Sequence, residues 1–469
     1  MLVAFWTTDL VVAVFSNWRQ PLTLEVTPNL RVLAFAAVVT LTTGMAFGVA
    51  PAMRASRLDF TPELKSGAAA GGAAGRLVAG RVLIVAQIAL CVLVVAMAAL
   101  LAQSVRNLKT QHAGFDPTNL LLFDLDAVGA SSASQPGPDR RVLYAGVHDR
   151  LAGLTGVTSV SMSTMTPLSG SGTYRGLALL GLPETPDARG VWWNQVSDDF
   201  FGTLRIRVLQ GRTFQPEDQS GSREVAIINE RTARYVFGEA NPIGRTIAWI
   251  PTPDRPLTII GVVEDTKLAD LRSEPPRMVY TPLAAQASLP GRAQVAIRTT
   301  GPPVALAGGV REAVRSVNPQ AVVERLRTMS DQVDGALVRE RSLAWLSGGF
   351  ALLASILAVA GLYGMMSYHV ARRTRDIGVR LALGARPRSV LAAVLRQTLG
   401  LTLAGVAVGL GGAFMTTEVV ATFLYGLTAR DPLTFGGVSL ALVATAVAAG
   451  YLPARRAARI DPLRAIRTE

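Results

Sequence analysis

LAWLSGGFALLASILAVAGLYGMMSY, residues 343–368, runs for 26 residues without one Asp, Glu, Lys or Arg. A helix rises about 1.5 Å per residue, so roughly 20 apolar residues cross the hydrocarbon core of a bilayer. The run therefore reads as a membrane span rather than a buried helix of a soluble domain. Four more uncharged runs, 32–50, 82–102, 397–417 and 432–453, read the same way, and a sixth, at 1–17, is interrupted by Asp9. Residues 1–8 carry no basic residue, which sets them apart from the start of a secretory signal. The expected fold is an α-helical transmembrane bundle of five full spans plus a partial N-terminal one.

Charge gives the orientation. The chain of 469 residues is 50% hydrophobic and 17% charged with a net charge of +13, against about 25% charged in an ordinary soluble protein. Residues 54–81, 372–396 and 455–469 carry basic excesses of three, six and three, nearly all of the net charge. If each of the five full runs crosses once, all three segments fall on one side. Short cytoplasmic loops hold the excess Lys and Arg, so that side and the C-terminus are expected in the cytoplasm. The basic residues flank apolar runs instead of sharing a polar face, so they point to membrane lipids and not to nucleic acid. Residues 103–341 and the link 418–431 then lie outside.

The external stretch has ordinary composition, with short β-branched runs between helical patterns. Strands are expected at 120–125, 157–162, 225–228, 257–263, 278–280 and 294–298, and helices at 140–154, 230–237 and 304–317, the second capped by Asn229. This is a large α+β domain, with a division into two lobes in the Gly- and Pro-rich stretch 167–190.

Its chemistry is sparse. Three histidines, His112, His148 and His369, have no metal-site spacing, and the single Cys91 permits no internal disulfide or cysteine-rich cluster. No G-x-S-x-G elbow occurs. The acid pairs Asp198–Asp199 and Glu264–Asp265 are expected on solvated turns, and of Trp192 and Trp193 one should point inward and one outward. There is no Gly-Lys pair and hence no P-loop. No catalytic residue, metal or cofactor is expected, and any ATP-driven role requires a separate ATPase.

An internal repeat adds a second unit. Residues 4–13, AFWTTDLVVA, parallel 413–421, AFMTTEVVA; after an apolar helix, 51–59, PAMRASRLD, parallel 453–461, PARRAARID. Repeats of this kind imply a pseudo-symmetric, transporter-like architecture. The expectation is that residues 1–65 end a first permease unit, fused upstream or supplied separately, and that Met1 opens inside a longer protein. Gly405 and Gly409 in GVAVG form a small-x-x-x-small pattern suited to close helix packing.

The densest signal is residues 368–388, YHVARRTRDIGVRLALGARPR, a basic amphipathic helix with stop signals at Gly384 and Pro387. Here the chain resembles the FtsX-like permease domain of MacB-type ABC transporters, whose pattern R-x-x-E-I-G-I-R-x-A-L-G-A is matched by Arg373, Asp376, Ile377, Gly378, Val379, Arg380, Ala382, Leu383, Gly384 and Ala385, with Asp376 in place of Glu. The ending, Pro453 to Ala457 with Asp461 and Pro462, fits as well. Gly114-Phe115-Asp116, Gly211-Arg212-Thr213-Phe214, Asn241-Pro242-Ile243-Gly244 and Ile260-Gly261-Val262-Val263 resemble the MacB-like periplasmic core domain. The repeat is similar to that of the long fused permeases of acidobacteria.

The resemblance implies a division into 1–65 (remnant of a first unit), 66–81 (cytoplasmic linker), 82–108 (transmembrane and stalk helix), 109–330 (periplasmic core domain) and 331–469 (permease domain with three spans and a basic tail). It implies an inner-membrane permease for efflux or mechanotransmission, partnered by a cytoplasmic ABC ATPase and by periplasmic proteins. The ATPase-coupling loop would comprise Arg372, Arg373, Asp376, Ile377, Gly378, Arg380, Leu383, Gly384 and Ala385. The alternative is a membrane-anchored regulatory or sensory protein acting through its external domain without transport.

Overall fold

The computed structural model describes residues 31, 34–35, 37–38, 40–42, 70–127, 140–170, 172–179, 190–219, 224–250, 255–285, 289–372, 374–383, 386–421, 425–426 and 431–458. It forms two compact units, residues 103–341 and residues 1–102 with 342–469. The first long helix, α1 (Ala70–Thr110), carries the uncharged run 82–102 and begins within the stretch 66–81 expected as a linker.

The unit 103–341, expected outside the membrane and here termed the outer unit, begins with β1 (Leu120–Asp126), α2 (Arg140–Ala152), β2 (Val157–Ser163), β3 (Thr173–Leu179), β4 (Gly190–Val196), α3 (Phe200–Leu204), β5 (Val208–Gly211) and α4 (Pro216–Gln219). It continues with β6 (Val225–Asn229), α5 (Glu230–Phe237), β7 (Thr246–Ile250), β8 (Leu257–Val263), β9 (Met278–Pro282) and β10 (Arg292–Thr299). A 3-10 turn (Pro303–Leu306), α6 (Ala307–Val317), β11 (Val322–Thr328) and α7 (Met329–Ala336) complete it.

Two sublobes share one sheet. In the first, β11, β1, β10 and β2 lie side by side, all antiparallel. Apolar residues of α2 spaced one turn apart, Leu143, Val147 and Leu151, face Val310 and Val314 of α6 and Phe123, Val160 and Ile297 of the sheet. That periodicity places one helical stripe in the core. In the second, the pairings β4–β3, β3–β7, β7–β8, β8–β6, β6–β9 and β9–β4 close into a ring. Closure removes the free edges of those strands. Leu177, Val191, Ile228, Ile247, Ile259 and Val279, one from each strand, meet in a single apolar cluster. Between the sublobes the ladder is a single rung, Ser163 opposite Val196.

The Asn229 cap is present: its Oδ1 accepts from the Thr232 amide at 3.1 Å and from the Met278 amide at 2.8 Å, tying α5 to β9. The solvated-turn expectation fails at Glu264–Asp265. Glu264 accepts from Arg207 at 3.0 and 3.2 Å and lies 3.1 Å from His112 Nε2, while Asp265 accepts from Asn229 Nδ2 at 2.6 Å and the Arg231 amide at 2.9 Å. Burial, opposed by the Arg231 amide, holds the Asp265 carboxyl above its ordinary range.

In the other unit α1 is joined by α8 (Val338–Arg372), α9 (Thr374–Ala382), α10 (Pro387–Ala421) and α11 (Pro432–Ala458). Among the described residues four helices are long and apolar enough to cross a membrane: Gly80–Thr110, Val338–Ala371, Pro387–Met415 and Pro432–Arg456. The structure thus supports four of the five expected full spans. The run 32–50 lies largely, and the partial run 1–17 wholly, outside the described residues; those described between 31 and 42 are helical. The first copy of the repeat and the tail beyond 458 also lie outside them.

Candidate functional site

α9 is a nine-residue helix set between two of membrane length. Thr374 Oγ1 donates back to the carbonyls of Val370 and Ala371 at 3.1 and 2.9 Å, a local bond that competes with regular helix propagation where α8 gives way to α9. Pro387 opens α10, a position where its missing N–H costs nothing. Within α9, Gly378 is buried and Ile377 half-buried. Val379 and Leu383 are one turn apart, linked by the Leu383 amide to the Val379 carbonyl at 3.0 Å, and are 42% and 83% exposed. The connector thus presents apolar side chains on the surface beside exposed Arg386 and Arg388. Arg372, Asp376 and Arg380 lie on α8 and α9; Arg373, Gly384 and Ala385 fall outside the described residues.

Gly405 and Gly409 sit on α10 against α1. A Cβ on Gly405 would fall 2.7 Å from Ile88 Cβ, and one on Gly409 would fall 2.7 Å from the Ala89 carbonyl oxygen and from Val92 Cβ. Such distances admit only hydrogen, so the two backbones approach more closely than any side chain would allow. The same device recurs where Gly361 of α8 receives Gln87 of α1, whose Oε1 lies 2.6 Å from an added Cβ. Around these contacts Ile84, Ile88 and Val92 of α1 meet Leu362 and Met366 of α8, Val406 of α10 and Ala446 of α11. The GVAVG pattern marks the approach, but nothing in the sequence names α1 as the partner. A polar residue such as Gln87 inside an otherwise apolar run was the available signal.

The outer motifs hold structure together. Gly114 approaches the Asp265 carbonyl so closely that a Cβ would fall 2.0 Å from its oxygen, and Phe115 is buried. Asp116 accepts from the Thr118 hydroxyl and amide at 2.6 and 2.9 Å and from Arg205 at 2.7 Å. Arg298 reaches the carbonyls of Thr203, Thr118 and Asp116 at 2.7, 2.8 and 3.0 Å. Burial lowers its pKa, partly offset by Asp116. Arg212 holds Asp218 through both nitrogens at 2.6 and 3.2 Å. Among the described residues no group of three His, Cys, Asp or Glu side chains could hold a metal.

A unit of membrane-length helices interrupted in sequence by a large α+β unit is the organisation of a multi-pass membrane protein with a folded extramembrane domain. Residues 82–328 match the MacB-like periplasmic core domain and residues 348–462 the FtsX-like permease C-terminal domain. The chain belongs to the FtsX-like, MacB-type family of ABC transporter permeases. It is 28% identical over 278 residues to the macrolide export ATP-binding/permease protein MacB of Azoarcus sp., and 25% identical over 282 residues to the pyoverdine export ATP-binding/permease protein PvdT of Pseudomonas entomophila. Each match covers 56% of this chain and only 40% of the relative. With the uncharacterized ABC transporter permease YknZ of Bacillus subtilis identity is 27%, over 59% of this chain and 70% of that one. Against the solved periplasmic region of MacB from Actinobacillus actinomycetemcomitans the TM-score is 0.33 at 17% identity, covering 46% of this chain and 92% of that one.

Proposed function

We propose that the chain is the non-catalytic permease subunit of an ABC-type export or mechanotransmission system, coupled through α9 to a separate cytoplasmic ATPase. One observation carries the reading: a short helix between two membrane-length helices exposes Val379 and Leu383 within a basic connector. A connector that only gripped anionic lipid would depend on charge, each basic residue contributing on the order of 1 kcal/mol. Exposed apolar side chains at Val379 and Leu383 suit a shaped protein partner better.

The chain has no Gly-Lys pair and so no P-loop, whereas the MacB and PvdT relatives are named as ATP-binding/permease proteins. Hydrolysis is therefore assigned to a partner. The charge pattern supports an inner-membrane arrangement with α9 and the C-terminus in the cytoplasm. α1 and α8, which flank the outer domain in sequence, would carry motion between ATPase and outer domain, with a second permease unit completing the assembly and periplasmic proteins as further partners.

The test keeps the charge and changes the shape. Gly378→Leu should leave membrane insertion intact and abolish permease-dependent stimulation of the ATPase, while Arg388→Gln has a modest effect. Full coupling in Gly378→Leu, with loss only when several arginines are neutralised, would return α9 to the role of a lipid anchor.

A further inference from the structure

β3 breaks the pattern of its own ring. Residues 173, 175, 177 and 179 share one face of the strand, and on that face Leu177 is buried in the apolar cluster. Alternation calls for another apolar residue two positions earlier, and the chain places Arg175 there. Its guanidinium carbon lies 3.8 Å from the centre of the Trp193 ring and 5.8 Å from that of Trp249.

The two indoles are held. Trp193 Nε1 donates to Thr281 Oγ1 at 2.8 Å, the rings sit 5.7 Å apart at 59°, and Trp249 is 9% exposed. Trp193 thus turns toward the ring interior, and Trp192, on the other face of β4, packs edge-on against Tyr174.

Arg175 has stacking partners and no described counter-charge. Other arginines of the same unit, such as Arg207, Arg212 and Arg298, each meet a carboxylate or backbone carbonyls. Arg175 is exposed, and among the described residues neither an ion pair nor a hydrogen bond engages it. Stacking occupies the faces of a guanidinium and leaves the edge, with its planar fork of N–H donors, open. A charged group that departs from the strand pattern and keeps its hydrogen-bonding edge unengaged by the described residues is a mark of function.

We propose that Arg175, flanked by Trp193 and Trp249, is a binding site for a carboxylate-bearing ligand in the outer domain. A planar carboxylate matches the fork in two parallel bonds, and one guanidinium balances its single charge. A phosphate dianion would call for a second cation, and the cluster of Arg175, Trp193, Trp249 and Thr281 has none. The carboxylate can come from a small molecule or from an acidic peptide segment.

Calorimetric titration of the detergent-solubilised full chain separates these cases. The probes are acetyl-tetraglutamate amide, N-acetylglutamate and inorganic phosphate at matched ionic strength, with acetyl-tetraglutamine amide as the uncharged control. Saturable binding of the tetraglutamate is expected, absent for tetraglutamine and weakened at least about tenfold in Arg175→Met, which keeps the stem over the indole and loses the two charged hydrogen bonds. Arg175→Lys, charged but without the fork, should fall between. Equal binding of N-acetylglutamate marks a small-molecule site, and binding of the peptide alone marks a protein segment. No saturable binding to the wild-type chain, phosphate binding as tight as carboxylate, or full binding by Arg175→Met would each overturn the assignment.

Discussion

At Asp116, burial and hydrogen bonding pull the proton in opposite directions. Burial raises the carboxyl pKa, but the Thr118 hydroxyl and amide, then Arg298 and Arg205, outweigh it, and the group ionises below the ordinary carboxylate range. A carboxylate whose pKa is lower folded than unfolded stabilises the fold fully above its unfolded value, about 3.9. That contribution disappears as pH falls through the folded value. Glu264, held down chiefly by Arg207, follows the same sign. Acid unfolding of the outer domain, monitored by near-ultraviolet circular dichroism, should therefore steepen below about pH 4. In Asp116→Asn the dependence should be shallower and neutral-pH stability lower. Parallel acid profiles for the two proteins would show that the ionised form gains nothing from this network.

At the scale of elements, the seam between α1 and α10 makes the sharpest claim. Gly409 leaves no room for a side chain, whereas an added Cβ on Gly411, two residues further along α10, meets nothing within 4 Å. Gly409→Leu should lower the stability of the detergent-solubilised protein by about 1–3 kcal/mol, the usual cost of overpacking, and Gly411→Leu should leave it unchanged. Equal thermal shifts in the two variants would remove the seam from consideration. Legibility followed burial at this scale. The strands visible as short runs, β1, β2, β6, β8, β9 and β10, are largely buried, and the Asn229 cap was visible as well. β3, β4, β5, β7 and β11 were not: β5 is exposed along its length, and β3, with Tyr174, Arg175 and Gly176, has no clean alternation. β3, β4 and β7 pair within the closed ring, β5 pairs with β8 and β11 with β1, long-range conditions that no local window carries. The positions of Gly405 and Gly409 were legible, their partner helix was not, and Arg175 stood out only once Trp193 and Trp249 were beside it.

For the whole molecule, the proposed topology can be read with a single reporter. Cys91 is 1% exposed within α1, so a Cys91→Ser background gives a silent chain. In intact cells an impermeant thiol reagent should label Gln320→Cys in the outer unit and leave Ser389→Cys, at the start of α10, unmodified until the membrane is opened. Labelling of both before lysis would refute the arrangement. Synthesis order adds a constraint of its own. β1 is the first strand of the outer sheet to be made, yet Leu120 pairs with Arg298 and Leu121 with Thr328, both far along the chain. At roughly 5–20 residues per second, on the order of ten seconds or more separates β1 from either partner. The ring strands β3 to β9 are contiguous and can close in that interval. A nascent chain whose residues up to 291 have emerged, with the rest still to come, would hold a complete ring next to an unpaired LLLFDLD, a segment that a holdase, or a neighbouring copy, is free to capture.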